Sequence, residues 1–443
     1  MPSNKELNKS IIKLTIPNII TNITVPMLGM VDTAIVGHIA SGGRNADYLG
    51  AIAIGTMIFN FIYWNFGFLR MGTSGFTAQA YGAKDKNEQI DILVRSCSIA
   101  LGAALLLIAL QFPIAQLCSY LIEDNNNIIT YALEYFYIRI WAAPATLGMY
   151  ALKGWFIGMQ DSKTPMWIAI MINVVNIVFD LYFVIGLGMT IDGVAYATVI
   201  AQYSGLLTTL LIFFIKYNKN FKVSIQRAIR LEKMKVFFKV NGDIFLRTVC
   251  IIAVTTFFTF ASTKMEYPLL AVNTLIMQLF SLFSYFMDGF AYAAESLCGK
   301  YAGAHDRRNL KRTVKFIMLW GVVLAVLCML VYGFFSEHIL AILTNHEEVL
   351  EASKQYLFWT IIIPIAGFAA FLYDGILVGM IQSSIMRNAI FVATASFFLI
   401  FYGLGQTNNA LWLGFISYLV FRSLLMAVLS WKKIFGKEEY NAL

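Results

Sequence analysis

Apolar residues recur along the chain in long runs separated by short polar stretches. Twelve of these runs are long enough to span the ~30 Å hydrocarbon core of a bilayer, which takes about 20 helical residues. They cover residues 12–37, 48–70, 92–118, 129–157, 164–187, 193–215, 238–262, 267–297, 314–335, 350–380, 386–404 and 409–431. Because lipid offers the backbone no hydrogen-bond partners, each run is predicted to be a helix. The pattern therefore predicts an all-α membrane protein with twelve transmembrane helices.

The composition agrees with a membrane protein. Of the 443 residues, 59% are hydrophobic and only 13% are charged, whereas a soluble domain carries roughly a quarter charged residues. Four of the five cysteines fall inside apolar runs, the fifth, Cys298, comes directly after one, and none forms a CxxC pair. The spacing of the cysteines therefore indicates neither a disulfide framework nor a zinc site.

The basic residues are distributed unevenly between the predicted loops. If the N-terminus is cytoplasmic, the inner segments hold 25 of the 33 Lys and Arg residues and the outer loops hold two. Positive charge in short loops marks the cytoplasmic side, so we expect an inner-membrane protein with both termini in the cytoplasm. The same asymmetry explains the net charge of +8 as topology and attraction to anionic lipid, and argues against a nucleic-acid partner.

The two halves of the chain repeat each other. A shift of 221 residues aligns identical residues in two distant regions of each half. The aligned pairs are Gly82 with Gly303, Ala83 with Ala304, Asp85 with Asp306, Tyr135 with Tyr356, Gly154 with Gly375, Gly158 with Gly379, Met159 with Met380 and Ser162 with Ser383. Each half holds six spans, an even number, so the repeat is predicted to be parallel. We therefore predict lobes at residues 1–216 and 237–443, joined by a basic cytoplasmic linker at residues 217–236, and facing each other across a cleft suited to alternating access.

The first predicted span carries a carboxylate deep in its apolar run. Ionisable groups in lipid are costly and usually functional, which makes Asp32 a candidate site residue. Pro26 lies six residues earlier. Since proline has no amide hydrogen, it leaves a carbonyl of the preceding turn without its donor. We expect a hinge at this position.

The fifth predicted span carries a polar stripe. Asn173, Asn176 and Asp180 are spaced i, i+3, i+7, which places them on one face of a helix. Thr198 in the next span adds a hydroxyl. Together with Asp32, these hard oxygen groups would suit Na⁺, or a carboxylate among them could bind H⁺ with its pKa raised in the low dielectric. The alternative is that these side chains only form hydrogen bonds between helices.

The second half carries its own polar groups within the spans. Asp243 and Arg247 are spaced i, i+4 on the seventh span, so we expect them to form a salt bridge, which could be purely structural. Asp288 and Glu295 are spaced i, i+7 on the eighth span, and Asp374 lies deep in the tenth. The two lobes are thus built alike but carry different charged groups.

At these residues the sequence resembles the multidrug and toxic compound extrusion (MATE) family, and its DinF-like subfamily in particular. The resemblance covers residues 10–432 and is carried by six motifs in order. They are GMVDTAIVGH (29–38), GTSGFTAQAYGA (72–83), NIVFD (176–180), NGDIFLRT (241–248), SYFMDGFAYAAES (284–296) and YDGILVG (373–379).

The resemblance implies a V-shaped pair of six-helix lobes that exports cationic or amphipathic compounds, such as drugs, against H⁺ or Na⁺. It also implies a cation site in the first lobe, where Asp32, Asn176, Asp180 and Thr198 occupy the matching positions. One position departs from the family: many relatives have proline after the carboxylate of the fifth span, whereas this chain has Leu181. We therefore expect a weaker bend there.

Other functions are less well supported. A flippase for a lipid-linked precursor is the alternative within transport, although twelve spans and few basic residues within them argue against it. No HExxH, GxSxG or similar motif is present, so we expect no enzyme. A passive channel would not explain buried carboxylates in a two-lobe repeat. We expect a monomer in the lipid bilayer that needs no cofactor besides the coupling ion.

Overall fold

The computed structural model describes the backbone of residues 3–39, 45–121, 126–217 and 224–436. The side chains of residues 25, 28, 30, 32–34, 36–39, 45–46, 121 and 126 lie outside this description. Every regular element among the described residues is helical. The all-α fold class predicted from the apolar runs is therefore confirmed.

The helices follow one another with short connections. Those of the first half are α1 (Asn4–Ile39), α2 (Asn45–Asn65), α3 (Gly67–Gly82), α4 (Lys86–Ala109), α5 (Gln111–Leu121), α6 (Asn126–Arg139), α7 (Ala143–Gly158), α8 (Lys163–Asp180) and α9 (Ile191–Lys216). A 3₁₀ turn (Ile140–Ala142) joins α6 to α7, and a π-helical turn (Leu181–Gly186) continues α8. The remaining helices are α10 (Ile225–Ala228), α11 (Leu231–Thr263), α12 (Leu269–Gly303), α13 (Arg307–Leu343), α14 (Glu347–Ser353), α15 (Leu357–Gly379), α16 (Ser383–Gly403) and α17 (Asn408–Phe435).

Among the described residues, ten helical stretches are long and apolar enough to cross a membrane. They correspond to ten of the twelve predicted spans. The other two predicted spans fall on α1 and on the α6–α7 pair. The helices are therefore consistent with the predicted twelve spans.

Large apolar side chains cover the outside of many helices. Ile215 on α9 is 70% exposed, Phe334 on α13 is 75% exposed and Leu399 on α16 is 74% exposed. Many other large apolar side chains are exposed as well, and a soluble protein rarely leaves so much apolar surface open to water. Lipid is the solvent that suits such a surface.

Glycine contacts repeat between the two halves with the offset found in the sequence. In the first half, Gly154 on α7 lies against the backbone carbonyl of Arg70 on α3. In the second half, Gly375 on α15 lies against the carbonyl of Ala291 on α12. Both members of the second pair are 221 positions after their counterparts. Each crossing brings two backbones so close that a Cβ would overlap a carbonyl oxygen, so only glycine fits.

The turns repeat with the same offset. Asp85 accepts a hydrogen bond from the amide of Glu88 at the start of α4, and Asp306 accepts one from the amide of Asn309 at the start of α13. Both helices therefore have the same kind of N-cap, in which a carboxylate oxygen accepts a hydrogen bond from an amide that the helix leaves unpaired. The repeat predicted from sequence identity is thus present in the backbone.

By its internal packing the chain forms two compact units. One comprises Met1–Ile19, Ala78–Lys84 and Val236–Leu443, and the other comprises Ile20–Thr77 and Asp85–Lys235. The helices α1 and α3 each contribute residues to both units. The division into lobes at residues 1–216 and 237–443 remains a prediction.

Aromatic side chains fill the core of each unit. In the unit that contains most of the first half, Phe59 stacks on Phe136 with ring centroids 5.4 Å apart, and Tyr135 packs beside them. In the other unit, Phe258 packs against Trp412 with ring centroids 4.7 Å apart. Such tilted and offset pairs are the favoured geometries of aromatic rings, and they pack α2 against α6 and α11 against α17.

Candidate functional site

The polar stripe predicted on the fifth span lies on α8. Asn176 and Asp180, one helical turn apart, are both completely buried. The helix packs against α9, where Thr198 is also buried. An amide, a carboxylate and a hydroxyl therefore lie on two neighbouring helices of one unit, in an otherwise apolar bundle.

Asn173, the first residue of the stripe, joins α8 to α1. Its Nδ2 donates a hydrogen bond to the backbone carbonyl of Thr24 at 2.9 Å. Thr24 lies two residues before Pro26, and α1 continues without a break through this proline. The contact ties the polar helix to the part of α1 in which the hinge was predicted.

Asn176 has an unusual environment. Neither its Nδ2 nor its Oδ1 has a hydrogen-bond partner among the described residues. Leaving a buried amide without partners costs about 1–3 kcal/mol, and native proteins rarely tolerate it. The side chain is therefore placed to bind something other than the described part of the protein.

Asp180 lies at an irregularity of the backbone. It is the last residue of α8, and the π-helical turn begins at Leu181. The amide of Leu187, directly after the turn, donates to the carbonyl of Tyr182 at 3.0 Å. Such π-turns are rare and occur frequently at functional sites. The weak bend expected from the absence of proline is thus accompanied by a π-turn directly after the carboxylate.

Thr198 and Asp32 are the other two residues predicted for this site, and the structure describes the side chain of Thr198 alone. Thr198 donates its hydroxyl to the carbonyl of Val194 at 3.0 Å, which leaves the lone pairs of its oxygen available as acceptors. Asp32 belongs to α1, but its side chain lies outside the described part of the structure.

The carboxylates of the second half have different partners from those predicted. Asp243 and Arg247 were expected to pair with each other, and this expectation is wrong. Asp243 instead accepts hydrogen bonds from Arg387 at 2.6 Å and from Ser383 at 2.8 Å. Both partners lie on α16, so the ion pair joins two helices and not two turns of α11.

Arg247 takes part in a three-residue ion cluster. Its guanidinium binds Oδ2 of Asp374, and the guanidinium of Arg422 on α17 binds the same oxygen. The side chain of Arg422 is 4% exposed, that of Asp374 is 6% exposed and that of Arg247 is 12% exposed. Three helices, α11, α15 and α17, are thus joined by one buried carboxylate.

The remaining candidates of the second half lie on α12. Glu295 is buried and Asp288 is half-buried. Gly379 lies against the backbone carbonyl of Glu295. This contact brings α15 close to α12 beside the glutamate.

Sequence reasoning assigned no role to Arg422, Arg387 or Ser383. A signal existed for Arg422, since an arginine inside an apolar span has to be paired. No comparable signal existed for Arg387, which was assigned to an inner segment. Its pairing with Asp243 spans 144 positions of the chain and depends on how α11 and α16 pack.

A second group of ion pairs lies around the start of α4. Asp91 accepts a hydrogen bond from Arg227 at 2.8 Å, and Glu88 accepts one from Lys233 at 3.0 Å. Arg95 donates to the carbonyl of Ala228 at 2.9 Å. These contacts hold the segment around α10 against α4 within one unit.

Ten long apolar helices among the described residues, a repeat between the two halves of the chain and polar groups buried within the helices define a polytopic membrane protein. The chain belongs to the MatE family, whose model matches residues 17–182 and 244–403. It is 35% identical over 435 residues to the DNA damage-inducible protein F of Escherichia coli (strain K12), with 96% of this chain and 92% of that protein covered. The resemblance to MATE proteins of the DinF-like subfamily is therefore confirmed.

Other relatives and a solved structure support the same family assignment. The probable multidrug resistance protein NorM of Thermotoga maritima is 21% identical over 363 residues, with 79% of this chain and 75% of that protein covered. A crystal structure of MATE in complex with MaD3S superimposes with a TM-score of 0.82 at 18% identity, with 97% and 96% of the two chains covered. The protein is thus a membrane transporter with the MATE fold and not an enzyme, and the flippase alternative is not favoured.

Proposed function

We propose that the protein is a secondary active exporter that moves cationic or amphipathic compounds out of the cell against entry of H⁺ or Na⁺. The observation that carries the proposal is the buried amide of Asn176, which has no partner among the described residues and lies one turn from the buried carboxylate of Asp180. A coupling cation would supply what this amide oxygen lacks, because carbonyl and carboxylate oxygens are the ligands of hard cations.

In this proposal Asp32 takes up the external H⁺ or Na⁺, supported by Asn176, Asp180 and Thr198. Neutralising the carboxylate removes its need for water, so α1 bends at Pro26 and the substrate is displaced. The hydrogen bond from Asn173 to Thr24 links the cation site mechanically to this part of α1. The cycle requires that the cation bind the two states with different affinity, which a carboxylate with changing access provides.

The proposal places the protein in the cytoplasmic membrane as a monomer, with both termini inside and no cofactor besides the coupling ion. The uneven distribution of basic residues supports this orientation. The relative from Escherichia coli, a bacterium with an inner membrane, supports the location. The probable multidrug resistance protein NorM among its relatives supports drugs as the class of substrate.

Efflux from proteoliposomes tests the proposal when a pH gradient and a Na⁺ gradient are imposed separately. We expect one of the two gradients to drive export of an organic cation, and Asp32→Asn to abolish the coupling. Asp85→Asn is the matched control, because it removes a carboxylate of the same half while asparagine caps α4 as well as aspartate does. Transport by Asp32→Asn at the rate of the parent would refute the assignment of the site.

A further inference from the structure

The linker between the two halves contains the short helix α10, which is held against α4. Two nitrogens of Arg227 bind the two carboxylate oxygens of Asp91, the bidentate geometry that makes an arginine–carboxylate pair strong. Arg95 donates a hydrogen bond to the carbonyl of Ala228 at 2.9 Å, and Ala228 is completely buried. These contacts fix the height of α10 along α4 at the level of Asp91 and Arg95.

This level corresponds to the boundary between the hydrocarbon and the headgroups of the bilayer. The apolar run of α4 begins at residue 92, directly after Asp91, and that of α11 begins at residue 238. Lys235 precedes the second boundary by three residues, which is slightly less than one helical turn. The segment from α10 to the first turns of α11 therefore lies at the depth of the lipid headgroups.

Large apolar side chains of this segment are open to the surroundings of the protein. Ile225 is 63% exposed and Leu231 is 69% exposed, and Ile229 and Phe238 are exposed as well. Water does not suit such a concentration of apolar surface. At the depth of the headgroups these side chains reach the upper part of the acyl chains, as the apolar face of an interfacial helix does.

The same segment carries more positive charge than its protein partners neutralise. Residues 225–239 contain five basic residues and a single glutamate. Arg227 and Lys233 are paired with carboxylates of α4. The other three are exposed and form no ion pair among the residues that the structure describes, and they are Arg230, Lys235 and Lys239. These three cations remain available to a ligand outside the protein.

On α11 the basic and apolar side chains share one face. Leu231, Lys235 and Phe238 are spaced i, i+4, i+7, which places them one above the other on a helix. A lysine between apolar neighbours lays its methylene groups along them and extends its ammonium group toward the phosphates. Arg230, next to Leu231, adds a guanidinium, a group that binds phosphate bidentately. The arrangement suits a ligand that has both an acyl chain and a negative headgroup.

We propose that this segment is a binding site for an anionic phospholipid of the cytoplasmic leaflet. Arg230, Lys235 and Lys239 bind its phosphate, and the exposed apolar side chains lie against its acyl chains. The lipid then holds α10 at the membrane surface from one side, while α4 holds it from the other. Lipid binding here requires neither transport nor a coupling ion, so it does not depend on the proposed export function.

Quenching of a fluorophore by brominated lipid tests the site. In a background without the five native cysteines, Ile229→Cys is labelled with bimane, and the intact protein is placed in nanodiscs of phosphatidylcholine. A small, fixed fraction of the lipid is replaced by phosphatidylglycerol or phosphatidylcholine that is brominated in the acyl chains, because bromine quenches only at contact. We expect phosphatidylglycerol to associate roughly tenfold more strongly than phosphatidylcholine, as a few basic residues at a membrane surface provide.

The preference should depend on the three basic residues. Arg230→Gln, Lys235→Gln and Lys239→Gln together should reduce it to less than about twofold, while quenching by phosphatidylcholine persists because the apolar contacts remain. The matched control replaces three exposed lysines of other predicted inner segments by glutamine, namely Lys84, Lys86 and Lys163. The control variant loses the same charge and should keep the preference.

A bimane on Lys84→Cys, in the exposed turn before α4, gives the signal of a fluorophore in water. Quenching at position 229 no stronger than at position 84 would overturn the proposal. Equal quenching by the two lipids would also overturn it, and so would a preference that survives the triple replacement. Loss of the preference in the lysine control would have the same consequence, because it would show an effect of net charge and not of this segment.

Discussion

At the scale of single residues, the side chain of Asn176 lowers the stability of the folded protein. Its amide is completely buried and unpartnered among the described residues, at a cost of about 1–3 kcal/mol. Such a defect persists when function requires it, since a residue that only stabilised the fold would be replaced by an apolar one of the same size. Stability and coupling should therefore respond in opposite directions when this residue changes.

Asn176→Leu tests this opposition. Leucine has a similar volume and no polar atoms, so we expect the melting temperature in detergent to stay level or rise, while ion-coupled export falls at least tenfold. The matched control is Asn273→Leu on α12, a buried asparagine that donates to Asn408 and accepts from Trp412, both at 2.8 Å. This variant should lose about 1–3 kcal/mol of stability and keep its coupling. A destabilised Asn176→Leu that still couples would contradict the role of Asn176.

At the same scale, the sequence predicts which residues share a helix face but does not predict which residues pair between helices. The i, i+3, i+7 spacing predicted which face of α8 is polar, because helix geometry alone fixes it. The same reasoning failed for Asp243 and Arg247. The partners of these two residues lie on other helices, and no local spacing encodes which distant helix will pack nearby.

At the scale of elements, close backbone crossings hold the helices together. The crossing of α3 with α12 is reciprocal: Gly82 lies against the carbonyl of Lys300, and Gly303 lies against the carbonyl of Gln79. The 221-residue offset exchanges both pairs. This contact therefore has the symmetry of an isologous interface. The alignment of Gly82 with Gly303 identified the two positions as equivalent but did not predict that they belong to one contact.

Gly82→Ala should destabilise the protein by about 1–3 kcal/mol, because the new Cβ would overlap backbone atoms that cannot rotate away. Gly102→Ala on α4 should instead increase the stability of the protein. That glycine has nothing within 4 Å of the position of a Cβ, so alanine gains up to about 1 kcal/mol of helix propensity. Melting temperatures of the two variants decide the matter, and a neutral Gly82→Ala would show that the crossing is loose.

The turn between α7 and α8 is held by an ion pair outside the spans. Asp161 accepts hydrogen bonds from Lys216 at 2.6 Å and from Thr164 at 2.7 Å. Burial on its own raises the pKa of this carboxyl, but the hydrogen bonds from Lys216 and Thr164 outweigh it and leave the pKa below its ordinary value of 3.8. The stability that the ionised carboxyl contributes is therefore present above that value and is lost as the pH falls below it.

Asp161→Asn should lower stability by about 1–2 kcal/mol at neutral pH, as expected for charge-assisted hydrogen bonds at a partly exposed site. The difference from the wild-type protein should shrink below about pH 4, where the unfolded carboxyl takes up its proton first. Melting temperatures recorded from pH 3 to pH 8 test this. A difference that stays constant over the whole range would contradict the ionic origin of the effect.

At the scale of the whole molecule, hydropathy predicted most of the fold. Lipid requires long, self-bonded helices, so twelve apolar runs were enough to predict an all-α protein, and a constant offset was enough to predict the repeat. The π-turn at Leu181–Gly186 had no such signal, because no proline marks it. Backbone irregularities and pairings between helices arise from packing, which a single sequence does not reveal.

The predicted orientation has its own test. In a background without the five native cysteines, Lys264→Cys should react with a membrane-impermeant maleimide in intact cells. Lys86→Cys should react only after permeabilisation, because the basic loops are expected inside. Both side chains are exposed, so burial cannot mimic the result. Labelling of Lys86→Cys from outside would reverse the topology and with it the proposed direction of transport.

Cation movement driven by substrate tests the central claim most directly. In sealed proteoliposomes with no imposed ion gradient, a gradient of an exported organic cation should drive H⁺ or Na⁺ in the opposite direction through the wild-type protein. Asp32→Asn should show no such movement, and Asn176→Leu should show it reduced at least tenfold. Equal cation movement in all three proteins would contradict the assignment of coupling to this site, and its absence from the wild-type protein would contradict the antiport mechanism.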